Sequence, residues 1–137
     1  MPKTLIIRPK RRAFPGRPDQ IAHARDFTRR VLGRCPVLDE AVLLVSELAT
    51  NAIEHTATAD GGSFHVTIYK GGSSLLIAVT DDGSDSFPTL GQQTDALAET
   101  GRGLKLVELI ADRWDYCGDG HGRTVRFELS WKQSESG

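Results

Sequence analysis

The chain has 137 residues, of which 39% are hydrophobic and 26% are charged, and its formal net charge at pH 7 is −1. This length suits one ordinary domain, and no apolar run approaches the roughly 20 residues that a membrane-spanning helix requires. The amino end lacks a secretory signal, and the two separated cysteines, Cys35 and Cys117, form neither a disulfide framework nor a metal motif. We therefore expect a soluble, cytoplasmic protein.

A basic leader precedes an acidic body. Residues 1–34 contain ten Lys or Arg and two acids, whereas the rest of the chain contains seven basic and sixteen acidic residues. The run RPKRRAFPGRP could attract nucleic acid or an acidic partner, or it could be a solvated arm. We favour the arm, because no nucleic-acid-binding motif accompanies it. We predict a basic arm over 1–18 with an edge strand over 4–8, an irregular segment between Pro9 and Pro15, a domain over 19–131 and a disordered tail over 132–137.

Two amphipathic helices follow the leader. The first is predicted to begin near Pro18 and Asp19 and to end near Gly33, and its apolar residues recur at helical spacing. The second can be capped by Asp39 and has a predicted buried stripe of Val42, Val45, Leu48, Ala49, Ala52 and Ile53. The opposite side of this helix carries Glu47, Thr50, Asn51, Glu54 and His55.

The second half of the chain is predicted to contain mainly strands. SFHVTIYK and SSLLIAVTD are predicted to pair as a hairpin across the turn of Gly71 and Gly72. A polar loop is predicted over 83–101, with at most a short helical piece over 96–99, followed by a helix in GLKLVELIADRW and a last strand in TVRFELSW. This order predicts an α+β two-layer sandwich, in which a mixed, mostly antiparallel sheet has helices on one face.

Three short segments carry candidate chemistry. Glu47 and Asn51 are four residues apart and lie on one helical face. VTDDG places Asp81 at the end of an apolar strand, just before Gly83, which permits close backbone approach. TGRGL places two glycines before a helix whose amino-terminal N–H groups suit phosphate. Taken singly, these segments are also typical of a solvated helix face, a turn and an ordinary glycine loop.

In this order and with these intervals, the three segments resemble the nucleotide-binding boxes of the GHKL ATPase superfamily. Within it, SELATNAIEH, VTDDG, TGRGLKLVELIADRW and GRTVRFEL resemble the bacterial anti-sigma-factor serine/threonine kinase branch. The resemblance covers residues 24–131, and HARDF matches the first helix of the branch. It implies the histidine-kinase-like ATPase fold, with ATP and Mg²⁺ as ligands.

The resemblance also implies a role for each matching residue. Glu47 would polarise the attacking hydroxyl or water, and Asn51 would ligate Mg²⁺ through its side-chain oxygen. Asp81 would accept a hydrogen bond from the adenine amino group, Gly83 would let the ring approach, and Thr124 would close the base pocket. Backbone N–H groups that face the phosphates would come from Gly101, Arg102, Gly103 and Leu104.

The implied function is an ATP-dependent serine/threonine kinase that phosphorylates an anti-sigma-factor antagonist and regulates a sigma factor. Such a protein would be a homodimer with no membrane partner and no direct nucleic-acid partner. A non-catalytic nucleotide-binding interaction module is the alternative, and a nucleic-acid-associated protein is a third reading. Two-component histidine kinases share this ATP-binding fold, but they carry a phosphoacceptor histidine that is followed by an acid, and a separate dimerising helix pair. In this sequence His23 is followed by Ala24, and the chain has no room for a second, dimerising domain. Autophosphorylation on histidine is therefore disfavoured.

Overall fold

The fold is described by a computed structural model over residues 8–55, 61–82, 104–119 and 122–132. The first four elements are strand β1 (Lys10–Pro15), helix α1 (Gln20–Leu32), helix α2 (Leu38–His55) and strand β2 (Ser63–Lys70). They are followed by strand β3 (Ser74–Asp81), helix α3 over 104–110, strand β4 (Arg113–Asp119) and strand β5 (Gly122–Ser130).

The five strands form one sheet in the order β1-β2-β3-β5-β4, and each neighbouring pair is antiparallel. Alternate side chains of β2, β3 and β5 are buried in one core together with apolar residues of α1 and α2, and these include the fully covered Phe64, Ile77 and Phe127. The predicted α+β sandwich with an antiparallel sheet is therefore confirmed. In the part of the chain that the structure describes, no helix is long and apolar enough to cross a membrane.

Helix α1 matches its prediction. Asp19 occupies the amino-terminal cap, and Gly33 occupies the carboxy-terminal cap with a φ of 57°, a conformation that favours glycine. The buried side of the helix contains Ala24, Thr28 and Leu32. The Thr28 hydroxyl satisfies its own polarity by donating a hydrogen bond to the carbonyl of Ala24 over 2.9 Å.

Helix α2 buries its predicted stripe but begins one residue earlier than its predicted cap. The helix begins at Leu38, so Asp39 lies in the first turn. Its negative charge still interacts favourably there with the positive end of the helix dipole. The buried apolar residues of α2 are Ala41, Val42, Leu44, Val45, Leu48, Ala49, Ala52 and Ile53.

The segment that follows Pro9 is a strand, so the prediction of an irregular segment there is wrong. Residues Lys10–Pro15 pair with β2 along their whole length. Phe14 explains the difference, because its ring stacks on Phe64 at 5.2 Å and meets Phe27 edge-on at 5.9 Å. One buried aromatic anchor fixes this strand, while its basic neighbours stay exposed at the edge of the sheet.

The helix predicted in GLKLVELIADRW is shorter than expected. Helix α3 ends at residue 110, and the last two residues of the predicted helix, Arg113 and Trp114, belong to β4. Asp112 directs the change, because its backbone N–H donates to the carbonyl of Glu128 and its side chain accepts two hydrogen bonds from Ser130. Trp114 then lies opposite Phe127 in the sheet.

Several predictions fall outside the described residues. They are most of the edge strand predicted over 4–8, the loop over 83–101 with its helical piece, and nearly all of the tail over 132–137. Arg8 is described and is not in a strand. The hairpin of β2 and β3 is confirmed, and the N–H of Gly71 donates to the carbonyl of Ser74 over 2.8 Å in its turn.

Candidate functional site

Helix α2 presents Asn51 to a pocket at one end of the sheet. The buried stripe fixes the rotation of the helix, and Leu48, which is 3% exposed, lines the same pocket. Asn51 is half-buried and lines the pocket. Glu47 lies one turn earlier on the same side of α2 and is also half-buried, but it is not among the residues that line the pocket.

Asp81, the last residue of β3, points to the helix-facing side of the sheet. Its side chain is 9% exposed, and it continues the buried series of Ile77 and Val79 at every second residue. Arg123 lies directly opposite on β5, and its Nη2 is 3.4 Å from the Asp81 Oδ2. An acid at the end of an apolar strand is thus buried beside a guanidinium.

The pocket has apolar walls and four side chains with polar groups. Its free volume is about 20 Å³, which is room for about one water molecule. Apolar walls with a few convergent polar groups are typical of small-molecule sites. The lining residues are Leu48, Asn51, Val79, Asp81, Leu104, Tyr116, Arg123 and Val125.

The structure does not bring Thr124 to this pocket. Thr124 pairs with Thr80, and their two hydroxyl oxygens are 3.0 Å apart and share a hydrogen bond. Successive strand residues point to opposite faces, so Thr124 lies on the face away from the helices, whereas Asp81 lies on the helix-facing side. Thr124 therefore cannot close the pocket that contains Asp81 in this register.

Of the predicted nucleotide-binding residues, the structure brings Asn51, Asp81 and Leu104 together. Leu104 is half-buried at the start of the described part of α3. Four predicted residues lie outside the described ranges: Gly83, Gly101, Arg102 and Gly103.

Two polar residues of the pocket were not among the candidates, namely Arg123 and Tyr116. The signal for Arg123 is present in the sequence, because the alternation of Val125, Phe127 and Leu129 puts residue 123 on the same face of β5. Tyr116 had no such signal. It belongs to β4, a strand that the sequence analysis did not predict.

A comparison with protein families identifies this architecture. The family model described as the histidine kinase-like ATPase domain matches residues 14–129. The chain belongs to this family. The match runs from Phe14 in β1 to Leu129 in β5, so it includes every residue that lines the pocket. A search among curated proteins finds no match to the chain.

Membership of this family supports ATP binding, and the pocket offers groups that fit a purine base. Asp81 supplies an acceptor, and the Arg123 Nε is buried without a hydrogen-bond partner among the described residues. Unsatisfied buried donors are rare in folded proteins, so this one indicates a partner other than the described protein groups. Leu48, Val79 and Val125 provide apolar surface for the faces of a ring.

The described residues also fit a magnesium ion that is held mainly by phosphates and water. Across 8–55, 61–82, 104–119 and 122–132, no cluster of three or more His, Cys, Asp or Glu side chains could hold a metal ion. Mg²⁺ commonly takes only one or two protein ligands beside substrate phosphates. The amide oxygen of Asn51, at the pocket, is a suitable hard ligand of this kind.

Proposed function

We propose that this chain is an ATP- and Mg²⁺-dependent serine/threonine protein kinase that phosphorylates an anti-sigma-factor antagonist and thereby regulates a sigma factor. The observation that carries the proposal is the convergence of Asn51 from α2 and Asp81 from β3 on one pocket. The sequence segments that contain both residues are those that resemble the anti-sigma-factor kinase branch. We further propose a cytoplasmic homodimer with no membrane partner and no direct nucleic-acid partner.

Each residue has one task in this proposal. Asp81 accepts a hydrogen bond from the exocyclic amine of adenine, and Asn51 holds Mg²⁺, which neutralises phosphate charge. Glu47 orients the hydroxyl of the substrate serine and accepts its proton as the oxygen attacks the γ-phosphorus. The bond between that phosphorus and the oxygen bridging to ADP then breaks. Positioning and charge neutralisation dominate such a transfer. Leu104 and the loop residues Gly83, Gly101, Arg102 and Gly103 are proposed to surround the nucleotide.

Glu47→Gln tests the transfer step. The substitution keeps the shape of the side chain and removes the proton acceptor, so transfer should slow by about two to four orders of magnitude while ATP affinity changes only a few-fold. Single-turnover transfer from labelled ATP to candidate antagonist proteins, measured beside calorimetric binding, separates the two effects. Glu40→Gln is the matched control, because Glu40 is exposed and lies seven residues earlier on the same helix.

Glu47 is not among the residues that line the pocket, and this position favours a second candidate function. The second candidate is a non-catalytic nucleotide-binding interaction module. In that case the wild-type protein binds ATP and transfers no phosphate to any antagonist. A fully active Glu47→Gln protein would instead leave the kinase proposal in place and remove Glu47 as the general base.

Asn51→Ala tests the proposed metal ligand. The amide is proposed to contact the ion and not the base, so the substitution should abolish the Mg²⁺-dependent part of ATP affinity and leave adenosine binding within a few-fold of wild type. Titrations with and without EDTA measure both quantities. If ATP and adenosine lose affinity equally, Asn51 shapes the base pocket and does not hold the ion.

A further inference from the structure

Arg123 lies in the candidate pocket although no role has been assigned to it. Its side chain is 11% exposed, and one of its N–H groups reaches Asp81 over the long distance of 3.4 Å. Its Nε is fully covered and has no hydrogen-bond partner among the described residues. A guanidinium carries five N–H donors in a rigid plane. This one therefore has donor capacity on the pocket wall that the described protein groups do not use.

The fold holds Arg123 in this place from two sides. The alternation of β5 directs it to the helix-facing side, in line with Val125 and Phe127. The residue opposite it on β4 is Gly118, where a Cβ would lie 2.5 Å from the carbonyl oxygen of Gly122 and 3.0 Å from the Arg123 Cγ. The absence of a side chain at residue 118 thus leaves room for the arginine stem.

Asp81 and Arg123 together present an acceptor beside a donor. Adenine presents the complementary pair along either edge that includes its amine, namely the amine as donor and a ring nitrogen as acceptor. We propose that Arg123 is a second base-reading residue, which donates a hydrogen bond to the ring nitrogen next to the amine that Asp81 recognises. This inference rests on the proposed function, because it requires that the pocket hold the base of a nucleotide.

An arginine in a narrow pocket could instead act as a plug that the base must displace. The two roles predict opposite signs for the same substitution. Removal of a plug strengthens nucleotide binding, whereas removal of a base-reading donor weakens it and abolishes discrimination between bases with and without the ring nitrogen. The Arg123 Nε favours the reading role, because a plug needs no uncommitted donor.

The test combines substitutions in the protein with single-atom changes in the ligand. Calorimetric titration compares ATP, 1-deaza-ATP and 7-deaza-ATP, each of which retains the amine, on wild type and on Arg123→Met. Wild type should bind one deaza analogue about tenfold more weakly than ATP, the scale of one good hydrogen bond. Arg123→Met should bind ATP about tenfold more weakly than wild type and should not distinguish the three ligands. Changing the arginine and the ring nitrogen separately and together makes a double-mutant cycle, which isolates the hydrogen bond between them.

Arg126→Met is the matched control, because Arg126 is on the same strand but on the opposite face, where it pairs with the exposed Asp115. It should bind all three ligands like wild type. If Arg123→Met unfolds, Arg123→Lys keeps a charge beside Asp81 but lacks the planar fork, and it should still bind ATP with reduced discrimination.

The inference is overturned by tighter ATP binding to Arg123→Met, or by wild-type discrimination in both Arg123 variants. If either result is found while wild type binds ATP in an Asp81-dependent way, the proposed function stands and only the role of Arg123 is rejected. A wild-type protein that binds none of the three nucleotides loses the proposed function itself.

Discussion

Two arginines of β5 pair with aspartates of neighbouring strands, and the quality of each pair runs opposite to its burial. On the face of the sheet that points away from the helices, which we call the open face, Arg126 makes two hydrogen bonds to Asp115, of 2.8 and 2.7 Å. On the helix-facing side, Arg123 reaches Asp81 only at 3.4 Å, and its Nε has no partner among the described residues. The well-made pair is exposed and the loose pair is buried.

The difference shows which of the two pairs needs an explanation beyond the fold. An exposed ion pair contributes little to stability, because water and salt screen it, even when its geometry is good. A buried pair must offset the loss of hydration of both charges, and on the arginine side the Nε has no hydrogen-bond partner among the described residues to help do so. Loosely satisfied buried charges are expected at sites that bind something, and this pair lies in the pocket.

The largest expected effect is on stability, when the aspartate of each pair is removed. Asp81→Ala leaves the Arg123 charge buried without the carboxylate that it contacts, so we expect a loss of roughly 3 kcal/mol in the free energy of unfolding. Asp115→Ala leaves Arg126 in water, so its unfolding midpoint should match that of wild type within error. Urea unfolding, followed by circular dichroism, measures both.

The double variant Asp81→Leu with Arg123→Met sharpens this comparison. Replacement of both charges with apolar groups should recover most of the stability lost in Asp81→Ala, because no unpaired charge remains. If Asp81→Ala is as stable as wild type, the Arg123 side chain reaches water when it is released, and the contrast between the two faces does not hold.

Much of the fold could be predicted because periodic burial is a local signal. The stripe of α2, the hairpin of β2 and β3, and the last strand follow directly from apolar spacing. Strands β1 and β4 could not be predicted in this way, because each depends on distant partners. Phe14 anchors a basic strand through Phe64, and Asp112 ends the helical pattern by bonding to β5.

The candidate site was predictable only in part, for the same reason. Asn51 and Asp81 each stand in a recognisable local pattern, and the fold brings both to one pocket. The assignment of Thr124 to that pocket required the register of β5 relative to β3, and a shift of one residue moves a side chain to the other face. The observed register pairs Asp81 with Arg123 and Thr80 with Thr124.

A smaller effect should appear in nucleotide affinity when each aspartate becomes an amide. Asp81→Asn replaces a charged acceptor with a neutral group that can also turn its donor inward, so ATP affinity should fall by about 1.5 to 3 kcal/mol. Asp115→Asn is the control on the open face and should bind ATP like wild type. Calorimetric titration of folded variants decides, and unchanged affinity in Asp81→Asn would remove this residue from base recognition.

The smallest expected effect concerns His65, which is on the open face of the sheet beside Thr80. Burial of the ring and the nearby charge of Arg11 lower the pKa of His65 from its usual 6.5, and Asp82 opposes them. Between this lowered pKa and 6.5, the unfolded chain binds more protons than the folded protein. The contribution of His65 to the free energy of unfolding is therefore fully present above about pH 6.5 and declines as the pH falls below it.

The variants of this region have opposite expected signs, which makes the weak effect measurable. His65→Gln removes the group, so its free energy of unfolding should fall less than that of wild type between pH 7.5 and pH 5. Arg11→Gln removes a charge that lowers the pKa of His65 and should shrink the decline, whereas Asp82→Asn removes the opposing charge and should enlarge it. Urea unfolding at both pH values measures each difference against wild type, so the titration of other histidines cancels. If the free energy of unfolding declines equally in all four proteins, His65 has the same proton affinity in the folded and unfolded chain. The open face then contains, at His65, no titrating group that affects stability, and the comparison with the buried pair loses this part.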